Sequence, residues 1–280
     1  MVTGEVRVST GTGVSLRVIT RPGLQGTVPF LLLHGLASNA RIWDGVAGRL
    51  SRAGHASAAV DQRGHGGSDR VDDGFDFGTL ADDLSGVCAA VFDRPAVVAG
   101  QSWGGNVALE FAHRHPERVA GLALVDGGFI ALADPFPEWE DAARVLAPPE
   151  LAGTRLEDLE AAMRARFAGW PEEGIVGQLA NFEALADGTV RPHLTRSRHM
   201  RILEELWRHR PDEVAQVLDH PVVVIAADDG LPNKRERVSQ FAGHLHRGRV
   251  VWVAGHHDVH AERPEVVAGL LLELAGTVAR

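Results

Sequence analysis

The chain has 280 residues, which is enough for one large α/β domain or two small ones. Its 28 basic and 37 acidic residues give a net charge of −9, which argues against nonspecific binding to nucleic acid or to anionic lipid. One cysteine excludes an intramolecular disulfide and a thiolate-rich metal site. We therefore expect the partner to be a small molecule, neutral or apolar, rather than a nucleic acid or a membrane.

Three residue types have unusual counts. There are 14 histidines and no tyrosine, and Lys234 is the only lysine among the 28 basic residues. The first 20 residues contain Glu5 and Arg7 within their apolar alternation, so they lack the uninterrupted apolar run of a signal peptide. Every apolar run is far shorter than the roughly 20 residues of a membrane helix. The sequence therefore predicts a cytoplasmic protein, and it leaves homo-oligomer formation open.

The first predicted element is a β-hairpin. Apolar residues are spaced by even steps on both sides of a glycine-bearing turn; they are Val2, Val6, Val8, Val14, Leu16 and Val18. From residue 29 onward, short apolar runs are followed by glycine-rich turns and then by helix-like stretches, as in buried parallel strands. The runs cover residues 29–33, 56–60, 96–99, 119–125, 221–227 and 250–253.

A helix is predicted between the second and third of these runs. Its apolar positions fall on one helical face; they are Leu80, Leu84, Val87, Cys88 and Val91. The alternation of strands with helices predicts an α/β fold whose sheet is mostly parallel. We interpret Cys88 as a buried structural thiol of that helix.

The strand rhythm stops between residues 134 and 210. Prolines separate short helical pieces there, and strand-like runs are absent from the sequence pattern. Trp139, Trp170 and Trp207 supply apolar side chains. We expect residues 134–210 to form an inserted helical cap, with residues 1–133 and 211–280 as the core. Irregular apolar segments of this kind carry substrate specificity.

The clearest motif follows the third run. The sequence Gly100-Gln101-Ser102-Trp103-Gly104 is G-x-S-x-G, and a helix-like stretch comes after it. A sharp turn between a strand and a helix presents the serine outward at a helix N-terminus, where developing negative charge is stabilised. Ser102 is therefore the candidate nucleophile. The competing phosphate-loop interpretation fails because neither G-x-G-x-x-G nor G-x-x-x-x-G-K-[ST] is present.

Serine acylation also needs hydrogen-bond donors aimed at the carbonyl oxygen. His34, Gly35 and Leu36 follow the first run, in the loop that normally supplies one donor. We assign the two donors to the backbone amides of Leu36 and Trp103. We expect His34, Gly35 and Trp103 to border the substrate pocket, with His34 shaping the loop.

A histidine base is expected at the same sheet edge as the nucleophile. The last run leads into a loop that carries His256, His257 and His260. Because the carboxyl ends of parallel strands share an edge, a histidine in this loop can reach the serine, and we choose His257. The alternative is a metal site that also uses His244 and His246. We expect no metal, because H-E-x-x-H is absent and these two histidines belong to a helix-like run that faces solvent.

A carboxylate must hold the imidazole of the base in one tautomer. Asp126 follows the run at residues 119–125, whereas Asp228 and Asp229 follow the run at residues 221–227. Both strand ends lie beside the predicted serine turn. The residues alone therefore leave all three carboxylates open.

Together these segments resemble the α/β-hydrolase fold superfamily, in particular its serine-esterase and lactonase-like members. The resemblance covers nearly the whole chain. It depends on His34-Gly35, on DQRGHGGS at residues 61–68, on the elbow at residues 100–104 and on HDVHAERP at residues 257–264. It implies a mostly parallel central sheet with helices on both faces and an inserted helical cap.

The resemblance also bears on the base and the acid. In similar proteins the histidine seven residues before the proline of the last motif is catalytic, which supports His257. The commoner acid position, nine residues after the proline that opens the seventh strand, is Gly230 here, next to Asp229. Lactonase-like and dehalogenase-like members carry the acid at the end of the sixth strand, where Asp126 stands, and we favour Asp126.

A serine rather than an aspartate at the nucleophile position disfavours dehalogenase and epoxide-hydrolase chemistry. We expect a carboxylic ester or lactone to be hydrolysed through an acyl-enzyme on Ser102, with no metal or organic cofactor. Carbon–carbon bond hydrolysis and perhydrolysis use the same three residue types and stay open. A noncatalytic small-molecule receptor is a third hypothesis, which an intact triad disfavours.

Overall fold

The structure is a computed structural model that describes residues 4–151 and 153–279. Residues 1–3 of the predicted core lie outside the described residues. They include Val2, the first position of the predicted hairpin. The described strands are β1 (Gly4–Ser9), β2 (Ser15–Arg21), β3 (Phe30–Leu33), β4 (Ser57–Val60), β5 (Ala96–Gln101), β6 (Val119–Val125), β7 (Phe182–Ala184), β8 (Val190–Pro192), β9 (Val222–Asp228) and β10 (Gly248–Ala254).

Helices connect most of these strands. They are α1 (Asp44–Arg52), α2 (Phe77–Val91), α3 (Trp103–Arg114), α4 (Trp139–Leu146), α5 (Leu156–Arg166), α6 (Glu172–Leu179), α7 (Arg196–Arg208), α8 (Pro211–Ala215), α9 (Lys234–Ala242), α10 (Val259–Glu262) and α11 (Pro264–Val278). Short 3-10 helices cover Ala40–Trp43 and Pro116–Arg118. Among the described helices, none has the length and apolar composition that crossing a bilayer requires.

The main sheet has the strand order β1-β2-β4-β3-β5-β6-β9-β10. β1 pairs antiparallel with β2, and β2 pairs antiparallel with β4. Every other neighbouring pair in this sheet is parallel. The opening hairpin and the mostly parallel sheet are therefore confirmed, and the strands begin within two residues of the predicted runs.

Helices cover both faces of the sheet, as the resemblance implies. Leu31 and Leu33 of β3 belong to the core cluster that contains buried residues of α2, α3, α8 and α9. Phe30 and Leu32 belong to the opposite cluster, with buried residues of α1, α10 and α11. Alternate side chains of a strand point to opposite faces, so a strand buried on both sides is apolar at every position. This is why the predicted strands were continuous apolar runs.

The predicted apolar face of α2 packs against the sheet. Leu80, Leu84, Val87 and Cys88 are buried, and Val91 packs partly buried against the same core. Burial raises the pKa of the Cys88 thiol to about 12. Because the thiolate is the reactive form, this cysteine is a packing residue at neutral pH.

Residues 134–210 connect β6 to β9 and are mostly helical, since α4, α5, α6 and α7 lie within them. The expectation that strands are absent there is wrong, because β7 and β8 pair as an antiparallel hairpin. Leu185 N donates to Thr189 O at 2.8 Å across its turn, and Gly188 adopts a φ of 81° there. Strands of three residues are too short to give a recognisable alternation in sequence.

Candidate active site

Ser102 occupies the turn between β5 and α3 in a strained conformation. Its φ is 53° and its ψ is −125°, which side chains other than glycine rarely adopt. Two backbone hydrogen bonds hold the turn: Ser102 N donates to Val125 O at 3.0 Å, and Gly105 N donates to Ser102 O at 2.8 Å. The serine is thereby fixed, half-buried, at the N-terminus of α3.

The glycines of the motif permit close backbone contacts around Ser102. A Cβ atom on Gly100 would lie 2.1 Å from Gly104 O, and one on Gly104 would lie 2.4 Å from His34 O. Likewise, a Cβ atom on Gly127 would lie 2.1 Å from Ser102 O. These distances are shorter than real Cβ contacts, so the elbow needs glycine at each of these positions.

Replacing Gly100 with alanine should therefore lower the free energy of unfolding by about 1–3 kcal/mol, because the new methyl group displaces backbone atoms. Gly269→Ala is the matched control. Gly269 lies in α11 with no atom within 4 Å of a built Cβ, so alanine there should stabilise the protein by about 0.5–1 kcal/mol. Urea denaturation measures both changes. Equal stability of Gly100→Ala and the parent protein would contradict the close contact.

The predicted donor loop passes directly beside Ser102. A Cβ atom on Gly35 would lie 3.2 Å from the Cβ of Ser102. Within the described ranges, the backbone amides of Leu36 and Trp103 have no hydrogen-bond acceptor. Unpaired amides beside a strained serine at a helix N-terminus are available to bind an anion. The loop is held by Ala37 N, which donates to His65 Nε2 at 3.2 Å.

His34 shapes this loop through both of its ring nitrogens. Nδ1 lies 2.7 Å from Gly35 O, and Nε2 accepts from Gln62 N at 3.0 Å. The ring is fully buried, and burial lowers its pKa. The indole of Trp103 is also fully buried, within the core cluster of α2 and α3. These two side chains therefore pack into the core, and their place at the substrate pocket stays a prediction.

His257 and Asp126 meet at the sheet edge where Ser102 lies. Asp126 follows β6, and its Oδ2 atom lies 2.7 Å from His257 Nδ1. Its Oδ1 atom accepts from Ala227 N at 2.9 Å, at the end of the neighbouring strand β9. A carboxylate only accepts hydrogen bonds, so Nδ1 carries the proton of the imidazole and Nε2 is left as an acceptor.

The two other histidines of this loop have different surroundings. His256 is exposed, and its Nδ1 atom lies 3.0 Å from Glu262 Oε2. His260 is fully buried with its ring centroid 4.4 Å from that of Trp43, and burial lowers its pKa to about 3. His260 is therefore a neutral core residue at neutral pH, and His257 is the histidine of this loop that contacts Asp126.

The other candidate acids pair with cations of α9. Asp228 Oδ2 lies 2.8 Å from Arg235 Nη2, in an exposed ion pair. Asp229 Oδ2 lies 2.7 Å from Lys234 Nζ. Of the three carboxylates that the residues left open, Asp126 is the one in contact with the imidazole.

The histidines of the metal alternative are spread out. α9 ends at Ala242, so His244 and His246 lie in the turn after it rather than in a helix, and His246 Nδ1 lies 3.2 Å from Asp219 Oδ1. In the part of the chain that the structure describes, no three His, Cys, Asp or Glu side chains are grouped as metal ligands would be.

Opposing effects act on the pKa of His257. Partial burial disfavours the imidazolium, whereas the hydrogen bond to Asp126 and the charges of Asp258 and Asp126 favour it. Lys234 disfavours it. The net result is a pKa above the ordinary histidine value. The carboxylates therefore prevail, as expected for a base that must become a cation during catalysis.

Two cavities adjoin these loops. One, of about 720 Å³, is bounded by Ala37 of the donor loop, by Asp258 beside His257 and otherwise by residues of segment 134–210. The other, of about 530 Å³, is lined by His257 and by residues that include Arg166 and Asp258, which line both cavities. Segment 134–210 thus encloses space directly next to the serine and histidine loops.

Sequence comparison identifies the family. The profile of the alpha/beta hydrolase fold family matches residues 28–264. The 2-(acetamidomethylene)succinate hydrolase of Mesorhizobium japonicum is 30% identical over 173 residues, which cover 60% of this chain and 59% of that protein. An AB hydrolase superfamily protein of Bacillus subtilis is 26% identical over 288 aligned positions, covering 93% of this chain and 94% of the relative.

Structural comparison agrees at the level of the fold. A crystal structure of E-2-(acetamidomethylene)succinate hydrolase superposes with a TM-score of 0.81 at 22% identity, covering 98% of this chain and 100% of that one. The family profile spans the chain from the residues before β3 to the start of α11, and so includes the elbow and the loops of Asp126 and His257. The chain therefore belongs to the α/β-hydrolase fold family, and this membership supports a hydrolase enzyme.

Proposed function

We propose that the protein is a serine hydrolase that cleaves a small carboxylic ester or lactone through an acyl-enzyme on Ser102. The observation that carries this proposal is the 2.7 Å hydrogen bond between Asp126 Oδ2 and His257 Nδ1, at the sheet edge that also presents Ser102. A nucleophile, a base and a carboxylate that orients the base are the three groups that acyl transfer requires.

The reaction follows from the roles of these residues. His257 Nε2 takes the proton of the Ser102 hydroxyl as the oxygen attacks the carbonyl carbon, and Asp126 stabilises the imidazolium that forms. The amides of Leu36 and Trp103 donate to the oxyanion, each contributing on the order of 3 kcal/mol to lowering the barrier. His257 then protonates the leaving oxygen. Water, activated by the same histidine, hydrolyses the acyl-enzyme and releases Ser102.

A substrate panel with two readouts tests this proposal. Short p-nitrophenyl esters and γ- and δ-lactones are supplied in turn, and both product formation and the intact protein mass are followed. We expect turnover of at least one class and a transient mass increase equal to one acyl group. Absence of both turnover and an acyl adduct across the panel, in protein with a cooperative unfolding transition, would contradict the proposal.

We also propose that residues 134–210 act as a substrate-selecting cap over the core formed by residues 1–133 and 211–280. The support is the 720 Å³ cavity, which this segment encloses together with Ala37 and Asp258. Asn39 Nδ2 donates to Gly177 O at 2.9 Å, which ties α6 of the cap to the core. The wall of the cavity therefore selects the substrate, while the core carries the chemistry.

The charge of the cavity wall favours a second candidate, hydrolysis of an acyl compound that carries a carboxylate. Arg166 lines both cavities, and within residues 4–151 and 153–279 its guanidinium forms no salt bridge, although its charge acts on Asp258, which lines the same cavities. It stacks near Phe167, with Cζ 5.6 Å from the ring centroid. A guanidinium recognises carboxylates in a bidentate manner. The Mesorhizobium japonicum relative is named as a hydrolase of a succinate derivative, a class with carboxylate groups.

Replacing Arg166 with glutamine separates the two candidates. For a p-nitrophenyl monoester of succinate we expect KM to rise by about tenfold or more, since a charge-assisted hydrogen bond contributes about 1.5–3 kcal/mol. KM for p-nitrophenyl butyrate should stay unchanged. Arg164→Gln is the control, because Arg164 lies on the same helix but pairs with Glu160 and Glu172. Equal KM changes for both substrates would favour the neutral-ester candidate.

A further inference from the structure

Lys234, the only lysine of the chain, lies between two carboxylates at the candidate active site. Its Nζ atom is 2.7 Å from Asp126 Oδ1 and 2.7 Å from Asp229 Oδ2. The three side chains are 11%, 2% and 10% exposed, respectively. The ammonium group is therefore a nearly buried cation bound to the carboxylate that contacts His257.

Asp126 needs a compensating charge in the resting state. Its side chain is almost fully buried and accepts from the Ala227 amide and the His257 imidazole, both of which are neutral while the histidine is unprotonated. A buried carboxylate without a cation is unfavourable, because its charge is removed from water without compensation. Lys234 supplies the missing positive charge.

We infer that Lys234 is a positioning residue of the proposed hydrolytic site: it holds the Asp126 carboxylate in its orientation toward His257, and it offsets part of the negative field on that imidazole. The role of Lys234 in catalysis rests on the proposed function. The electrostatic coupling of Lys234 to Asp126 and His257 does not depend on which substrate is hydrolysed.

The sign of the coupling follows from the charges around His257. Asp126 at the end of β6 and Asp258 in the same loop raise its pKa, and Lys234 from α9 lowers it. Burial raises the pKa of Asp258, and the charge of Arg166 in α5 opposes that rise. Asp229 shares Lys234 with Asp126. His256 carries its own partner, Glu262, and His260 is a buried neutral ring. Removing the charge of Lys234 should therefore raise the pKa of His257.

Four variants test this inference. In Lys234→Met, the acidic limb of the pH profile of kcat/KM should move to higher pH by about one unit, since one neighbouring charge is lost. In Asp229→Asn the limb should move to lower pH, because Lys234 then acts on Asp126 alone. Lys234→Met/Asp229→Asn removes one charge of each sign and should bring the limb back toward its original position. Lys234→Arg keeps the charge and should leave the limb in place.

A direct titration makes the test independent of catalysis. The pH titration of the His257 ring protons is followed by NMR, with the signal assigned by its loss in His257→Gln. It should shift in the same directions as the kinetic limb in all four variants. Arg235→Gln is the matched control, because Arg235 follows Lys234 directly in α9 and forms an exposed ion pair with Asp228. Neither the His257 titration nor the kinetic limb should move in this variant.

The outcomes separate this inference from the proposed function. If Lys234→Met unfolds cooperatively and the His257 ring titrates as in the parent protein, the inference is overturned, whatever the activity of the variant. A shift of equal sign in Lys234→Met and Asp229→Asn would also overturn it, because a general loosening of the site would move both alike. If the NMR shifts appear as expected but no ester or lactone is hydrolysed, the electrostatic coupling stands and the proposed reaction fails.

Discussion

Replacing Ser102 with alanine is expected to lower kcat for a p-nitrophenyl ester by about 10⁵- to 10⁶-fold, the size of loss known for removal of an activated serine nucleophile. The elbow keeps its backbone hydrogen bonds in this variant, so the protein should fold normally. The remaining rate over the uncatalysed reaction would come from the amides of Leu36 and Trp103. Turnover is measured with p-nitrophenyl acetate under conditions where the parent enzyme is quantified by active-site titration.

Ser239→Ala is the control for this substitution, because Ser239 is an exposed serine of α9 away from the elbow. It should retain full activity. If Ser102→Ala loses less than about tenfold, a residue other than Ser102 is the nucleophile, and the acyl-enzyme mechanism as drawn is wrong.

Asp126→Asn should lower kcat by about 10⁴-fold, the loss that follows when a triad carboxylate becomes an amide and the histidine takes the wrong tautomer. The amide NH₂ group donates to Nδ1, so the proton moves to Nε2, where it blocks proton transfer from Ser102. The change is nearly isosteric, and the loss should appear in kcat rather than in KM.

Asp228→Asn and Asp229→Asn complete the comparison of the three carboxylates. Asp228 forms an exposed ion pair with Arg235, so its loss should change kcat by less than about threefold. Asp229 contacts Lys234 rather than His257, so its effect should be mainly a shift in pH profile. Equal, mild losses in all three variants would contradict the triad, and a 10⁴-fold loss in Asp229→Asn alone would move the acid to the end of β9.

The fold could be predicted because its strands are buried on both faces. Residues such as Phe30 to Leu33 then have to be apolar at every position, which produces a pattern that alternating or helical segments lack. The serine elbow could also be predicted, because a Cβ atom on Gly100 or Gly104 would lie only 2.1 or 2.4 Å from a backbone oxygen, so both positions need glycine. Both features therefore appear in the sequence as patterns of residue type.

The acid could not be decided from the residues because the decisive contact is long-range. Asp126 and Asp229 both follow strands, and β6 and β9 are neighbours in the sheet, so both reach the same edge. Which carboxylate faces the imidazole depends on the conformation of the residue after β6, where Asp126 adopts a φ of 44°. Periodicity carries no information on such a conformation.

Lys234 and Arg166 were missed as site residues for the same reason. In the sequence, Lys234 is distinguished only as the single lysine. Its hydrogen bond to Asp126 joins residues that are 108 positions apart. The sequence also gives no sign that the Trp103 side chain is fully buried, because a residue next to a nucleophile can direct its side chain into the core. The number of histidines gives no guide to the site, because His34, His65 and His260 are buried in the core.

The central claim is that Ser102 becomes covalently acylated, and mapping a covalent adduct tests it most directly. The protein is treated with a fluorophosphonate, digested, and sequenced by tandem mass spectrometry, with Ser102→Ala and heat-unfolded protein treated in parallel. We predict one adduct per chain, on Ser102 in the folded parent protein, and none in either control. An adduct on another residue, or labelling that persists in Ser102→Ala, would contradict the claim.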